Sequence, residues 1–265
     1  MSVFEERAKV LQNEIVDEKL YVMRLSSPLI AQAIAPGQFV HMKLPGMEAH
    51  ILRRPFSIYS ASKQNGTLDI LYQVVGFGSA HMTGLTFGDE LSLLGPIGTS
   101  WQPPEGIKKA LLVAGGVGAA PMYMLADHLA SQGVHLDVIL GAQTKSALVT
   151  HAQYKQLILD KGASSSSVLC ATDDGSFGHC GFCTTLVNDA LQKSKYDYAA
   201  VCGPEIMMKI VAQTLLGASI PCEVSFERRM ACGIGACLSC VVNTNEGMKR
   251  ACVDGPVFDA GKVVF

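Results

Sequence analysis

Residues 109–121, KALLVAGGVGAAP, contain the most informative pattern for the architecture of the chain. Lys109–Ala114 is an apolar strand, glycines occupy positions 115, 116 and 118, and an amphipathic helix follows through about Ser131. An apolar strand that runs through a glycine loop into a helix is typical of a parallel sheet covered by helices. The stretch therefore predicts the first strand and helix of an α/β domain.

The alternation of apolar strands and helices continues downstream of this stretch. Three apolar strands are predicted at Leu136–Gly141, Ser167–Thr172 and Tyr198–Cys202, and three helices at Gln153–Lys161, Thr184–Lys193 and Glu205–Leu216. Strands alternating with helices indicate a parallel sheet covered on both faces. The serine run Ser164–Ser167 is interpreted as a surface turn.

The residues upstream of this domain have a β pattern. Short strands are predicted around Lys19–Leu25, Gln38–Leu44, Phe56–Ser60, Leu68–Val74 and Glu90–Leu94. Turn residues separate them, including the hairpin signal Asn65-Gly66. This spacing favours an antiparallel barrel or sandwich. With Pro103-Pro104 as the linker, we predict a β-barrel over 1–102, an α/β domain over 103–225 and a cysteine-rich segment over 226–265.

Composition and charge exclude several classes of protein. A hydrophobic fraction of 49% indicates a globular core, and a net charge of −2 argues against a nucleic-acid partner. Met1–Lys9 is charged and no apolar segment follows it, so no signal peptide is expected. The uncharged run Ala110–Ala126 is broken by glycines and Pro121, which favours a strand–loop–helix over a membrane helix. We therefore expect a soluble protein.

Four of the nine cysteines form a close cluster. Cys232, Cys237 and Cys240 have the plant-type ferredoxin spacing C-x4-C-x2-C, and Cys252 follows after eleven residues. Four thiolates at this spacing are predicted to bind a [2Fe–2S] cluster; the alternative is a zinc site. Plant-type ferredoxins place their fourth cysteine much further downstream.

A second pair, Cys180-x2-Cys183, has no matching pair elsewhere. It could form a redox dithiol or half of a metal site. Packing of two thiols near a nucleotide loop is the favoured interpretation.

Two patterns in the β region suggest a flavin. Arg54, Pro55, Phe56 and Ser57 begin a predicted strand, where the arginine can bind a pyrophosphate and the serine can hydrogen-bond a flavin ring. An edge strand with solvated charges would look the same. The further candidates for cofactor binding are Leu71, Tyr72 and Gln73 on the next strand, and Gly78 and Ser79 at the start of a helix.

The glycine loop is the candidate site for a dinucleotide. Gly115, Gly116, Gly118 and Pro121 follow the first parallel strand, where glycines let the backbone approach a pyrophosphate. A tight strand-to-helix turn is the alternative. The predicted nicotinamide neighbours at the same sheet edge are Cys202, assigned as the catalytic candidate, and Gly203 and Pro204. Asp173 and Asp174 end another strand there and favour NAD over NADP.

These motifs together resemble the ferredoxin-NADP reductase superfamily. With Glu227–Cys237 added, the chain resembles the electron-transfer subunit of class 1B dihydroorotate dehydrogenase, from which it departs at Gln73, where an arginine is expected. The resemblance implies FAD on the barrel, NAD on the parallel sheet and [2Fe–2S] on the C-terminal loop. It also implies an FMN-containing catalytic partner in a heterotetramer with two copies of each subunit, a cytoplasmic location and a role in pyrimidine biosynthesis.

The resemblance implies that electrons pass from dihydroorotate to the partner's FMN, then to [2Fe–2S], FAD and NAD+. Two alternatives remain at this point. One is a related NADP(H) reductase subunit that serves ferredoxin or sulfur compounds, which a basic cluster near Gln143–Lys145 would favour. The other is a non-enzymatic redox sensor.

Overall fold

The computed structural model describes residues 2–17, 19–162 and 166–265. The strands are β1 (Phe4–Asp17), β2 (Leu20–Ser26), β3 (Phe39–Lys43), β4 (Arg54–Ser57), β5 (Ser60–Ser62), β6 (Thr67–Gln73), β7 (Glu90–Ile97), β8 (Lys109–Gly115), β9 (His135–Ala142), β10 (Ser167–Thr172), β11 (His179–Cys180), β12 (Tyr198–Cys202), β13 (Cys222–Ser225), β14 (Val241–Thr244), β15 (Gly247–Arg250) and β16 (Val257–Asp259). The helices are α1 (Pro28–Ala33), α2 (Phe77–Met82), α3 (Ala119–Ser131), α4 (His151–Asp160), α5 (Cys183–Lys193) and α6 (Glu205–Gly217).

The N-terminal strands form one antiparallel sheet in the order β4-β3-β7-β1-β2-β6-β5. Their inward side chains share a single apolar core that includes Val10, Met23 and Leu93, all without exposed surface. The hairpin predicted at Asn65-Gly66 joins β5 to β6, with Ser62 opposite Thr67 and a positive φ at Gly66. The predicted antiparallel β-barrel is therefore confirmed.

The longest strand of this sheet, β1, was absent from the sequence prediction. Its side chains alternate between exposed and buried, although Glu5, Glu6, Arg7 and Lys9 make the segment look uniformly polar. Glu6 points inward, where its carboxylate accepts hydrogen bonds from the Ser27 hydroxyl at 2.5 Å and from two backbone N–H groups at the start of α1. A buried charge with three donors is tolerated because its lost hydration is replaced.

The second sheet has the order β11-β10-β9-β8-β12-β13-β16 and is parallel except for its last pair. Side chains of β8 alternate between two cores: Leu111 and Val113 pack on the side of α5 and α6, and Leu112 packs on the side of α3 and α4. The predicted doubly covered sheet is confirmed, and β10 and β12 have the predicted bounds.

The cysteine-rich segment packs against the same sheet. Strand β16 pairs with β13, while Cys240 and Cys252 belong to the core beside α6. The domain boundaries at 102/103 and 225/226 stay predictions. Part of the predicted turn Ser164–Ser167 lies outside the described residues. Within the described ranges, no helix is both long and apolar enough to cross a membrane.

Candidate functional site

A cleft of about 470 Å³ lies between the antiparallel sheet and the parallel sheet. Its volume falls within the usual range for cofactor sites. Residues from three parts of the structure line its walls. They are the barrel residues Phe39, Pro55, Phe56, Ser57, Leu71, Tyr72, Gln73 and Val75, the loop and helix residues Val117 and Ala120, and the C-terminal residues Ser225, Phe226, Glu227, Arg228, Arg229, Met230 and Pro256.

The barrel wall contains six residues predicted from sequence to contact a flavin. Tyr72 is fixed there: its hydroxyl donates to Asn13 Oδ1 at 3.0 Å, and its ring packs edge-on against Phe56 with 6.2 Å between centroids. Burial raises the pKa of Tyr72, so the phenol stays neutral. A rigid aromatic wall of this kind suits a flat ring system. At Gln73, where the resemblance predicts an arginine, the side chain adds only a neutral amide to the barrel wall.

Arg54 lies outside this cleft lining, against the start of α2. A Cβ at Gly78 would come within 2.8 Å of Arg54 Nε, so the guanidinium packs directly on the glycine backbone. Arg54 also donates to the Leu52 carbonyl at 2.5 Å. The Ser79 hydroxyl accepts from the backbone N–H groups of Val75 and Gly76 at 2.9 and 3.1 Å, which commits it to the turn before α2.

The glycine loop and the Cys-Gly-Pro segment, predicted to share one sheet edge, lie in direct contact. A Cβ at Gly118 would meet the Cys202 carbonyl oxygen at 2.6 Å, and one at Gly115 would meet Pro204 Cδ at 2.8 Å. A Cβ at Gly203 would likewise meet the backbone N of Gly115 at 2.9 Å. Glycine is required here for close packing of the two loops.

The other two loop residues occupy different environments. Gly116 has φ +56° and open space where a Cβ would point, so the backbone is accessible to a ligand. Pro121 is buried in the first turn of α3, where its carbonyl accepts from Trp101 Nε1 at 3.4 Å. Pro121 therefore faces the core and not the cleft.

Cys202 is almost completely buried. Its thiol donates to the Ser225 carbonyl at 3.7 Å, and burial, with a smaller effect of the Glu227 charge, raises its pKa. The side chain is thus a neutral packing group behind the cleft wall. Its predicted place beside the nicotinamide stays a prediction.

The C-terminal wall of the cleft was absent from the predicted site. Ser225 ends β13, and the next five residues run along the cleft. The guanidinium carbon of Arg228 lies 4.8 Å from the centroid of the Phe226 ring, and the same guanidinium forms an ion pair with Glu205 at 2.7 Å. The position of this segment, directly after the last parallel strand, is the signal that could have found it, because ligands bind at the carboxyl edge of such sheets.

The candidate adenosine end of the dinucleotide site is more polar. Asp174 accepts from the Ser176 hydroxyl at 2.6 Å and backbone N–H at 3.0 Å, which lowers its pKa and uses one carboxylate oxygen locally. Lys145, the residue that would favour a phosphate, has its ammonium 5.7 Å from the centroid of the Phe177 ring. The preference for NAD stays a prediction.

Cys232, Cys237 and Cys240 lie on the segment that precedes β14, and Cys252 follows β15 with its thiol hydrogen-bonded to that of Cys240. The Cys232 sulfur accepts from the N–H groups of Ile234 and Cys237 at 3.5 and 3.4 Å. Burial and the adjacent Cys240 raise the pKa of Cys252 to about 12, whereas the Ser239 hydroxyl and the Cys232 backbone lower that of Cys237 to about 6. Amides directed at sulfur are the usual environment of an iron–sulfur cluster.

The loop backbone also fits this use. Gly233 and Gly235 have φ of +70° and +83°, and a Cβ on Gly233 would collide with Nδ1 of the buried His41. Within residues 2–17, 19–162 and 166–265, no three His, Cys, Asp or Glu side chains lie close enough together to hold a metal ion. The fit therefore rests on the four-thiol donor set and on the amides around Cys232.

The pair Cys180 and Cys183 is not bonded as a disulfide. Cys180 is exposed, whereas Cys183 starts α5 and is buried against Gly141, and burial raises its pKa to about 11. The two thiols thus occupy different environments, one facing solvent and one in the core.

Three family models match the chain in sequence order. They are an oxidoreductase FAD-binding domain over residues 8–101, an oxidoreductase NAD-binding domain over 112–213, and the iron–sulfur cluster binding domain of dihydroorotate dehydrogenase B over 227–264. The first covers the barrel wall, the second the glycine loop, and the third the four clustered cysteines. FAD, NAD and iron–sulfur binding domains are therefore all present, as predicted.

Solved structures share the fold. A chain of the NADH-dependent reduced ferredoxin-NADP oxidoreductase, studied for flavin-based electron bifurcation, aligns with TM-score 0.86 and 29% identity, covering 97% of this chain and 89% of that one. A ferredoxin NADP+ reductase from Neisseria gonorrhoeae aligns with TM-score 0.67 and 20% identity, covering 80% and 91%. The second likeness shows the fold alone.

Two curated relatives match nearly end to end. Each is a "Dihydroorotate dehydrogenase B (NAD(+)), electron transfer subunit": the protein of Desulforamulus reducens is 38% identical, with 97% of both chains covered, and that of Geobacillus thermodenitrificans is 37% identical, with 98% of both covered. Identity at this level over the whole length confirms the resemblance read from the motifs. The chain belongs to the family of electron-transfer subunits of dihydroorotate dehydrogenase B, an oxidoreductase family.

Proposed function

We propose that the chain passes electrons from the FMN of a dihydroorotate dehydrogenase catalytic subunit, through [2Fe–2S] and FAD, to NAD+ in pyrimidine biosynthesis. The observation that carries this proposal is the shared cleft. Its walls combine the barrel residues around Phe56, the glycine-loop residue Val117 and the segment that leads to Cys232. A ring system in this cleft would contact segments of all three cofactor-binding domains.

The residues present fit each group. Phe56, Ser57 and Tyr72 would hold the flavin ring, while Arg54 would bind the pyrophosphate beside Gly78. When bound, FAD exchanges electrons with nicotinamide as pairs and with a cluster singly.

The nucleotide loops would act mainly through their backbone. Gly116 offers an uncovered backbone to the dinucleotide, and the contact of Gly118 with Cys202 fixes the two loops relative to each other. Cys202 would support the nicotinamide from behind without ionising. The four clustered cysteines would ligate iron, with the amides around Cys232 stabilising negative charge on sulfur.

The proposed partner is the FMN-containing catalytic subunit, in an assembly with two copies of each chain. The relatives' description as a subunit supports a partner. So do the exposed apolar side chains of the cysteine loop, Ile234 at 64% and Leu238 at 61% exposure, since apolar surface beside a redox centre is typical of a docking site. The proposed location is the cytoplasm, where free thiols persist for cluster assembly.

The test is reconstitution from separate subunits. The chain alone is expected to reduce dyes with NADH and to leave dihydroorotate untouched. Mixed with the FMN-containing subunit, it should support dihydroorotate-dependent reduction of NAD+. Failure of the mixture, with both proteins holding their cofactors, would contradict the proposed partner.

A second candidate is a reductase subunit for NADP(H) and ferredoxin, favoured by the structural likeness to the NADH-dependent reduced ferredoxin-NADP oxidoreductase. It requires faster turnover with NADPH than with NADH, and electron transfer to a small ferredoxin. A redox sensor, the third alternative, requires flavin absorbance without nicotinamide turnover. The same kinetic measurements separate all three.

A further inference from the structure

Both ring nitrogens of one buried histidine have no hydrogen-bond partner. In the part of the chain that the structure describes, three buried side-chain nitrogens lack such a partner, and two of them are Nδ1 and Nε2 of His41. The His41 side chain has no exposed surface. Burial removes its contact with water, and no hydrogen bond among the described residues replaces what is lost. The cost of this arrangement indicates a role for the imidazole at this position.

His41 lies on β3, one face of which is turned towards the C-terminal part of the chain. Val40 and Met42 belong to the barrel core. Because successive side chains of a strand alternate, Phe39 and His41 point to the opposite face. Phe39 lines the flavin cleft and packs in the same core as Cys240. This face of β3 thus carries a residue of the flavin cleft and, two positions further, the unpartnered imidazole.

The imidazole packs against the cysteine loop, residues 232–240. A Cβ on Gly233 would collide with the ring, and Nδ1 is the ring atom nearest to it. The backbone carbonyl of Cys232 also lies near the ring, where it partly offsets the lowering of the His41 pKa by burial. The two groups do not reach hydrogen-bond geometry. His41 therefore lies beside the peptide of Cys232 and carries at least one N–H donor in either protonation state.

Within the proposed function, on which this inference rests, Cys232 is the first ligand of the [2Fe–2S] cluster. We propose that His41 is a positioning residue for this cluster: its Nδ1–H donates to the Cys232 carbonyl and holds the first ligand against β3. Ligation at Cys232 would restrict the loop and bring the carbonyl into hydrogen-bond geometry. The Nδ1–H then gains the partner that the rest of the described chain does not supply.

The position of the Cys232 backbone affects the sulfur environment. The backbone N–H groups of Ile234 and Cys237 donate to the Cys232 sulfur at 3.5 and 3.4 Å. Such bonds stabilise the added negative charge of a reduced cluster and raise its reduction potential. They persist only while the loop keeps its backbone conformation. His41 would therefore act on the reduction potential through the loop, without contact with iron or sulfur.

The first test is an EPR-monitored redox titration of the chain carrying FAD and the cluster. In His41→Leu, the ratio of reduced to oxidised cluster at a fixed potential should fall roughly three- to tenfold, which is about 28–59 mV for one electron. The flavin couple, measured in the same titration, should not shift. His41→Asn places an amide nitrogen near the position of Nδ1 and should recover most of the loss.

Release of iron to the chelator bathophenanthroline gives a second readout. Iron should leave His41→Leu roughly tenfold faster than wild type, the value of one lost hydrogen bond, and His41→Asn should stay close to wild type. Met42→Leu is the matched control, because Met42 is also buried on β3 but faces the barrel core, and the two side chains have similar volumes. It should match wild type in both experiments.

An unchanged cluster potential in His41→Leu would overturn the inference. Equal shifts in His41→Leu and His41→Asn would also overturn it, because they would indicate packing and not a hydrogen bond. If His41→Leu binds FAD but no cluster, retention of the cluster and its potential in His41→Asn supports the inference, and loss from both variants overturns it. Failure of the proposed function is distinguishable, because the wild type itself would then show no EPR signal of a reduced [2Fe–2S] cluster.

Discussion

Replacement of Gly118 by alanine tests the packing of the two nucleotide loops. Gly118 has φ −60°, which any residue can adopt, so the effect is purely steric. The added Cβ would lie 2.6 Å from the Cys202 carbonyl oxygen, 2.7 Å from its carbonyl carbon and 2.9 Å from Gly203 Cα. All three are backbone atoms, so no change of rotamer relieves the contact.

The magnitude follows from these distances. The Cβ–oxygen contact is about 0.8 Å shorter than the 3.4 Å at which ordinary contact begins, so the two loops must separate by a similar amount. Overpacking of this kind costs about 1–3 kcal/mol in the free energy of unfolding. Misplacement of reacting groups by about 1 Å costs roughly a hundredfold in rate. We therefore expect flavin reduction by NADH to slow by one to two orders of magnitude.

Stopped-flow absorbance of the flavin after mixing with NADH measures this rate, and thermal unfolding measures stability. Dithionite should reduce the flavin of Gly118→Ala as fast as that of wild type, because it does not use the nucleotide loops. The control is Gly217→Ala at the end of α6, where a Cβ would meet no atom within 4 Å. Wild-type kinetics and stability in Gly118→Ala would refute the packing argument.

Three further predictions concern other parts of the molecule. Cys252→Ser should lose the broad iron–sulfur absorbance while its flavin is still bleached by NADH within about threefold of the wild-type rate, and loss of both in a folded protein would contradict the separate sites. Arg54→Leu should weaken FAD binding roughly ten- to hundredfold, the value of a charge-assisted hydrogen bond, in a titration of the apoprotein with FAD, with unchanged affinity as the contrary result. Asp137→Asn should lower the free energy of unfolding by about 2–4 kcal/mol at pH 7. Burial alone would raise the pKa of the Asp137 carboxyl. Hydrogen bonds from Lys109 at 2.9 Å, Ser167 and Tyr196 have the larger combined effect, so the pKa is lowered. A lowered folded-state pKa gives stability that is present above the unfolded value near 4 and is lost on acidification, so the difference in melting temperature should shrink towards pH 3, and a constant difference would contradict the ionic origin.

The α/β half of the fold was predictable because its signals are local. Continuous apolar strands such as Tyr198–Cys202, and glycines at the strand-to-helix turn Gly115–Gly118, leave few alternative assignments of secondary structure. Strand β1 was missed for the opposite reason. Its buried Glu6 is compatible with a strand only because Ser27 and the start of α1 supply donors, and no local pattern reveals such distant partners.

The candidate site shows the same division. The residues around Phe56 and Tyr72 and the four cysteines follow motifs with fixed spacing, and the structure places Phe56 and Tyr72 in one cleft. Glu227 and Phe226 were missed because their contribution depends on where β13 ends relative to the barrel, which is a property of the tertiary structure. The burial of Cys202 could not be predicted from the sequence either, since it depends on the contact between two loops.

The most direct test of the electron path is an anaerobic absorption spectrum of the purified chain before and after addition of NADH. Flavin bands together with a broad red-shifted iron–sulfur shoulder are expected, and both should bleach with NADH. A colourless protein that contains zinc, or a flavin that bleaches while an intact cluster stays oxidised, would contradict the path from nicotinamide through FAD to the cluster.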